Sequence, residues 1–341
     1  MNRIWIVLFL ILFVVACSEK DEDMFDTSQT DFAYSRLKFT CIYEADALPG
    51  LDEDADSIYR YGTYLEKLKG KKDYDDIARY YRIAAAHEHY KAATNLQLLL
   101  SSGRASSLDA SKETIDLAEH FVGKEIPGAF YDMAHYMEVG YGVKQDVAAS
   151  KAYFRRAADL GNPEAQYYVG KLLSRVPNTE SIMLALYKCA MEQGHQLAGR
   201  YYSSYSKVIG KYSDSVRGYQ VAVKNGDAIS ARRLAKAFEE PPASERLYFL
   251  GLQRDVERVE RYKKINFFLS RHEHLGAKIP DIDNIVPLPP AALPEWDGTF
   301  QWKRERDSYM PVIPSPELIE KLSAEKGLDP ATGLPLQVKQ S

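Results

Sequence analysis

Two pairs of histidines are the first places where this chain could do chemistry. His87-Glu88-His89 and His272-Glu273-His274 each set two imidazoles around a carboxylate, the donor types of a metal site. On a helix, residues two apart face away from each other, so neither pair chelates alone, and surface histidine is the reading that follows. His89-Tyr90-Lys91 opens like the His-x-Lys-x4-Asp signature of phospholipase D, but the place of the aspartate is held by Leu96, so the signature fails. There is no Gly-x-Ser-x-Gly elbow, phosphate loop or His-Glu-x-x-His. Gly140-Tyr141-Gly142 sits in a helix–helix turn and needs no ligand. The sequence therefore predicts no catalytic residue, no metal ligand and no cofactor.

Cys17 is the exception, because its surroundings suit covalent modification. After Arg3, an uncharged apolar run from Ile4 to Val15 leads into Ala16-Cys17-Ser18. About twelve residues are too few to span a bilayer, which wants about 20, but they have the shape of a secretory h-region. A small residue before a cysteine at that point resembles the lipobox of bacterial lipoproteins. The resemblance implies cleavage after residue 16 and lipidation of Cys17. Ser18 in place of aspartate implies sorting to the outer membrane, with the body facing the periplasm. In that oxidising compartment the other two cysteines, Cys41 and Cys189, either pair or stay buried and free.

The elements that would position any site are helices in register. Alanines recur at Ala92, Ala129, Ala165 and Ala198, with Ser230 in the next place, at spacings of 37, 36, 33 and 32 residues. The helix before each anchor also repeats: Tyr80-Tyr81-Arg82-Ile83-Ala84-Ala85, then Tyr153-Phe154-Arg155-Arg156-Ala157-Ala158, then Leu186-Tyr187-Lys188-Cys189-Ala190-Met191, and more weakly Tyr219 to Gly226. One such helix pair cannot bury its own apolar face, so the period predicts an all-α solenoid of stacked pairs.

The turn Gly140-Tyr141-Gly142-Val143-x-x-Asp146, the aromatic pair, the Ala-Ala pair and the Gly–Ala spacing resemble Sel1-like repeats, relatives of the tetratricopeptide class. The match is close over 127–200 and degenerate on either side. Ala149-Ser150 and Ala134 depart from the usual pattern without disturbing the fold. The resemblance implies a protein-binding scaffold.

Four zones follow: 1–16 as signal peptide, 17–50 as tether and N-terminal segment, 51–276 as repeat solenoid, and 277–341 as a Pro- and Trp-rich, mostly irregular C-terminal module. The later part of the second zone, Phe32 to Tyr43, is apolar enough to dock on the first helices. Asp52, Glu53, Asp54 and Asp56 suit the start of the first helix, where negative charge meets the helix dipole; a decoy for a cationic toxin cleft is the other reading. A closing helix spans 255–274. The last zone carries eight prolines between Pro280 and Pro316, a hairpin signal at Trp296-Asp297-Gly298-Thr299, and a short helix from Pro316 stopped by Gly327. It resembles the module that accompanies Sel1 repeats in a group of proteobacterial lipoproteins, many encoded beside type VI secretion effectors.

A net charge of −4 without a basic patch excludes nucleic acid as a partner. The candidate surface is the groove lined by the first helix of each pair. Three residues beyond the anchors stand Asn95, Asp132, Tyr168, Tyr201 and Arg233. Tyrosine, 24 of 341 residues, suits partner contacts, although Tyr153 and Tyr187 belong to the repeat core. Sel1 lipoproteins of this kind resemble the immunity partners of phospholipase D-type lipase effectors. The resemblance implies a protein that binds a cognate type VI toxin and touches the membrane through its lipid. The alternative is an envelope scaffold or adaptor for the cell's own complexes.

Overall fold

The computed structural model describes residues 37–336, so the export segment and Cys17 lie outside the described residues. Those described contain sixteen α-helices and no strand; Leu328 and Pro335 form an isolated bridge. No described helix is long and apolar enough to cross a membrane.

After a short helix α1 (Glu44–Ala47), the chain runs through helix pairs. They are α2 (Glu53–Lys67) with α3 (Tyr74–Ala86), α4 (Tyr90–Ser101) with α5 (Ala110–Gly123), and α6 (Pro127–Val139) with α7 (Val147–Asp159). Then come α8 (Pro163–Leu173) with α9 (Glu180–Glu192), and α10 (Gln196–Val208) with α11 (Tyr212–Lys224). A last pair, α12 (Ala228–Ala237) and α13 (Val256–His272), ends the row. This is an α-solenoid.

The anchor alanines have a local cause. Each is the third residue of a first helix, where the backbone N–H has no partner inside the helix. His89 Nδ1 accepts from the N–H of Ala92, Asn162 Oδ1 from Ala165, His195 Nδ1 from Ala198 and Asp227 Oδ2 from Ser230. All four anchors are fully buried, which is why only small side chains fit. The rule extends beyond the sequence reading: Asp52 caps Ala55 in α2, and Asp255 caps Arg258 in α13. Three of the four acidic residues at the first helix are thus engaged within the fold. Asp52 caps, Asp56 binds Arg60 and His89, and Asp54 meets Lys321.

Helix α6 breaks the rule, because Ile126 in the cap position has no side-chain acceptor. Its free N–H is met from elsewhere. The Glu44 carboxylate reaches the backbone of Gly128 and also accepts from Asn162 Nδ2 at 2.9 Å. Residues 41–44 lie across the turns before α8 and α10. Gln166 and Gln193 both donate to the carbonyl of Ile42, Tyr43 donates to Glu192, and Cys41 is disulfide-bonded to Cys189. The expectation that this segment docks on the first helices is therefore corrected: it straps the middle repeats. Gly161 is obligatory there. Its φ is +105°, and a Cβ would meet Glu44 N at 2.7 Å.

Residues 277–300 pack into one core with α13, through Ile279, α14 (Ile282–Ile285), Val286, Trp296 and Phe300. The hairpin expected at Asp297-Gly298 is a turn without strands. The Asp297 carboxylate accepts from both the N–H and the hydroxyl of Thr299, closing the turn locally, and α15 (Gln301–Ser308) follows at once. After α15 the chain returns to the first repeat. Helix α16 (Pro316–Glu325) puts Ile319 and Leu322, with Leu328 beyond it, into the core of Tyr80, Ile83 and Ala84. Buried Arg82 closes this junction, donating to Glu113 and to the carbonyls of Ser106 and Thr332.

Candidate partner-binding surface

The five positions three residues past the anchors fall one on each of α4, α6, α8, α10 and α12. They do not meet as a cluster. They form a row in which each first helix touches the next. Thr94 of α4 donates to Asp132 Oδ2 at 3.1 Å, and Tyr168 of α8 donates to Glu138 of α6 at 2.8 Å. The rings of Tyr167 (α8) and Tyr201 (α10) lie 5.6 Å apart, and Arg233 of α12 donates to Ser204 of α10.

Each side chain of the row is partly used by the fold. Asn95 lies beside the hydroxyls of Tyr59 and Tyr81. Tyr168 stacks on buried Phe154 with centroids 4.2 Å apart. Arg233 donates to Tyr219 at 2.7 Å and covers its ring. Tyr201 is 36% exposed, while the other four are half-buried. Burial pushes the Asp132 carboxyl up to about 7, with Thr94 opposing and Glu44 adding to the shift. Burial and the Glu138 hydrogen bond hold the Tyr168 hydroxyl up at about 12, so it stays a donor.

Sequence reasoning missed a second line on the same helices. Three residues further on, one helical turn away, stand Leu98, His135, Lys171, Ser204 and Lys236. Leu98, Lys171 and Lys236 are exposed. His135 sits among the rings of Tyr131, Phe154 and Tyr168. Six residues past each anchor is the signal that would have found them. Their types, aliphatic, imidazole, hydroxyl and ammonium, suit contact with a protein surface rather than a shared chemical step.

The histidines are corrected in turn. His87 and His89 are not on one helix: His87 follows α3 and His89 precedes α4. His89 is fully buried rather than on the surface, with Nδ1 on the α4 cap, Nε2 facing Asp56 and its ring 4.3 Å from Tyr59. His195 repeats the arrangement with Glu164 and Tyr167. His272 is half-buried against Phe268, and His274 is exposed. Among the described residues no group of three or more His, Cys, Asp or Glu is placed to hold a metal ion.

This geometry has relatives among solved structures. The immunity protein Pa5087 of Pseudomonas aeruginosa aligns over 74% of this chain and 95% of its own, with 27% identity and a TM-score of 0.58. The immunity protein PA5088 of the same organism aligns over 74% and 94%, with 25% identity and a TM-score of 0.60. PA5086, also of Pseudomonas aeruginosa, aligns over 74% and 95%, with 28% identity and a TM-score of 0.57. The likeness is of both sequence and fold, and it bears out the resemblance to immunity proteins. Residues 230–336 match a domain of unknown function, DUF6396, which begins inside the last repeat rather than after it. No curated protein matches the sequence.

Proposed function

We propose that this chain is an immunity protein that neutralises a cognate toxin by binding it. The observation that carries the reading is the likeness to immunity proteins Pa5087 and PA5088 over nearly their full lengths. The row on α4, α6, α8, α10 and α12 would be the means: exposed Tyr201 and the half-buried Asn95, Asp132, Tyr168 and Arg233 keep aromatic and polar surface open on a rigid frame, and binding needs no turnover. In the finer form, the toxin is a type VI secretion effector, a phospholipase D-type lipase, and Cys17 holds the protein on the outer membrane facing the periplasm. The export motif and the family resemblance support that form.

The test is co-purification of the full-length lipoprotein with the product of the neighbouring gene, followed by survival of cells that make that product in the periplasm. A tight stoichiometric complex and protection are expected; several envelope partners and no protection would overturn the reading in favour of a scaffold. Replacing Asp132, Tyr168, Tyr201 and Arg233 together should weaken the toxin about 30-fold or more, the scale of about 2 kcal/mol for a buried interface side chain. A folded quadruple variant that protects fully would remove the row from the mechanism. Cys17→Ala should abolish metabolic palmitate labelling; unchanged labelling would end the lipoprotein assignment.

A further inference from the structure

The return of the C-terminal segment creates a cavity that the solenoid alone would not have. It is a half-open recess of about 1260 Å³ between α2, the end of α13, and α15. Its walls carry Arg60, Lys67, Lys69, Arg271, Lys303 and Arg306 against only Glu305 and Asp307. The chain as a whole is net negative, at −4, so this concentration of cations runs against the average.

Some of these charges are spent locally. Arg60 pairs with Asp56, Lys303 with Asp307, and Arg306 lies over the Trp302 ring. Lys67, Lys69 and Arg271 form no salt bridge among the described residues, although the Lys69 charge reaches Asp307 at longer range. Like charges facing one space raise its potential and attract an anionic group.

Tyr309 and Met310 line the cavity, and from there the chain runs on as Pro311-Val312-Ile313; Met310, Val312 and Ile313 are 77%, 78% and 69% exposed. The backbone N–H groups of those three bond nothing among the described residues. Pro311 and Pro314 keep the stretch extended. A run of exposed apolar side chains beside a cationic cavity is the pattern of a contact surface rather than of ordinary solvent-facing backbone.

We propose that this cavity is a second docking site, taking an acidic segment of the partner protein. Its carboxylates lie against Lys67, Lys69 and Arg271, and flanking apolar residues cover Met310, Val312 and Ile313. A protein segment fits better than a membrane, because the cations line a recess between three elements whereas a bilayer presents a broad face. The identity of the partner rests on the immunity reading; the charge preference of the cavity does not.

The test separates the two. A fluorescein-labelled peptide of eight glutamates followed by two leucines is titrated into the full mature protein, with anisotropy as the readout. Salt-sensitive binding is expected, weakened about tenfold or more by Lys67→Glu/Lys69→Glu/Arg271→Glu and retained by Lys67→Arg/Lys69→Arg/Arg271→Lys. Met310→Ser/Val312→Ser should weaken it less. Undiminished binding to the charge-reversed variant would overturn the proposal. So would equal competition by inorganic phosphate, which would mark a small-anion site. Preferential binding to phosphatidylglycerol–phosphatidylethanolamine vesicles, lost in the same variant, would overturn it in favour of a membrane contact. With the co-purified toxin, the charge-reversed variant should lose about 30-fold in affinity. Failure of the wild-type protein to bind any toxin would sink the immunity reading while the peptide result still judges the cavity.

Discussion

The middle repeats and the first repeat are each covered by one end of the chain, and the two covers work by different physics. Over α7–α10 the cover is residues 41–47, held by the Cys41–Cys189 bond, by Gln166 and Gln193 donating to the Ile42 carbonyl, and by the Glu44 carboxylate, which accepts from the Asn162 side chain and the Gly128 backbone. No residue of α1 is buried. Over α2–α3 the cover is 316–336, held by Ile319, Leu322 and Leu328 inside a shared core. The difference reflects what each place lacks. An interior repeat has a neighbour on both sides, so only its turn amides and helix starts need partners. A terminal repeat has an open apolar face and needs hydrocarbon.

The contrast can be broken most forcefully at the disulfide. Cys41→Ser/Cys189→Ser frees a loop of sequence separation 148, which should destabilise by about 2–5 kcal/mol in urea unfolding. Hydrogen exchange should accelerate first at α7–α10 and leave α3 protected. Exchange that rises uniformly would show that the strap does not act locally.

Leu322→Ala is the matching test at the other end. It should cost about 2–4 kcal/mol through lost burial and the cavity left behind, with accelerated exchange in α3 and α16 and little change at α9. A loss below about 1 kcal/mol would mean that the C-terminal segment merely rests on the first repeat.

Asp132 sharpens the comparison through pH. Its carboxyl is raised from 3.8 to about 7 in the folded protein, so the folded state holds the proton more tightly than the unfolded chain. Its contribution to stability is therefore fully present below about pH 4 and is lost as pH rises through 7. Asp132→Asn should flatten the pH dependence by roughly 2 kcal/mol across that window, allowing for the half-exposed position. Glu44, shifted upward by burial too, remains in both proteins, so the difference reports Asp132 together with its repulsion by Glu44. Identical urea midpoints for the two proteins at pH 4.5 and 7.5 would refute the shift.

The smallest expected effect lies at the left-handed residue before each cap. In the middle and late repeats it is Gly161, Gly194 and Gly226; in the early ones it is Glu88 and Glu125, with φ of 63° and 56°. Glu88→Gly should stabilise by about 0.5 kcal/mol through relief of the backbone, less its exposed contacts with His120 and Lys124. Gly161→Glu should instead be severe, because the strap lies against that position. A destabilised Glu88→Gly would show that the exposed ion pairs outweigh the backbone.

The periodic part of this architecture was readable because it is local. Ala92, Ala165 and Ala198 are small for reasons written within a few residues of them, the cap before and the helix behind. The two covers were not readable, because nothing near Cys41 names Cys189 and nothing near Leu322 names Ile83. Aspartate before glycine promises a hairpin only when strands are available, and at Asp297 the side chain closed the turn alone. The row positions were counted correctly onto successive first helices. Their partial burial depends on the preceding helices, through neighbours such as Phe154 for Tyr168, Tyr219 for Arg233 and the more distant Thr94 for Asp132, which the count along one helix does not contain.

The return of 316–336 to α3 also changes how the molecule comes apart. A linear stack of repeats melts from its ends, because the last unit has lost half of its stabilising contacts. Here residues 316–328 share a core with the first unit, so fraying of that unit must also break its contacts with this segment. The first unit and this segment are expected to come apart together, and the core around Ile83 is complete only once Ile319, Leu322 and Leu328 have joined it.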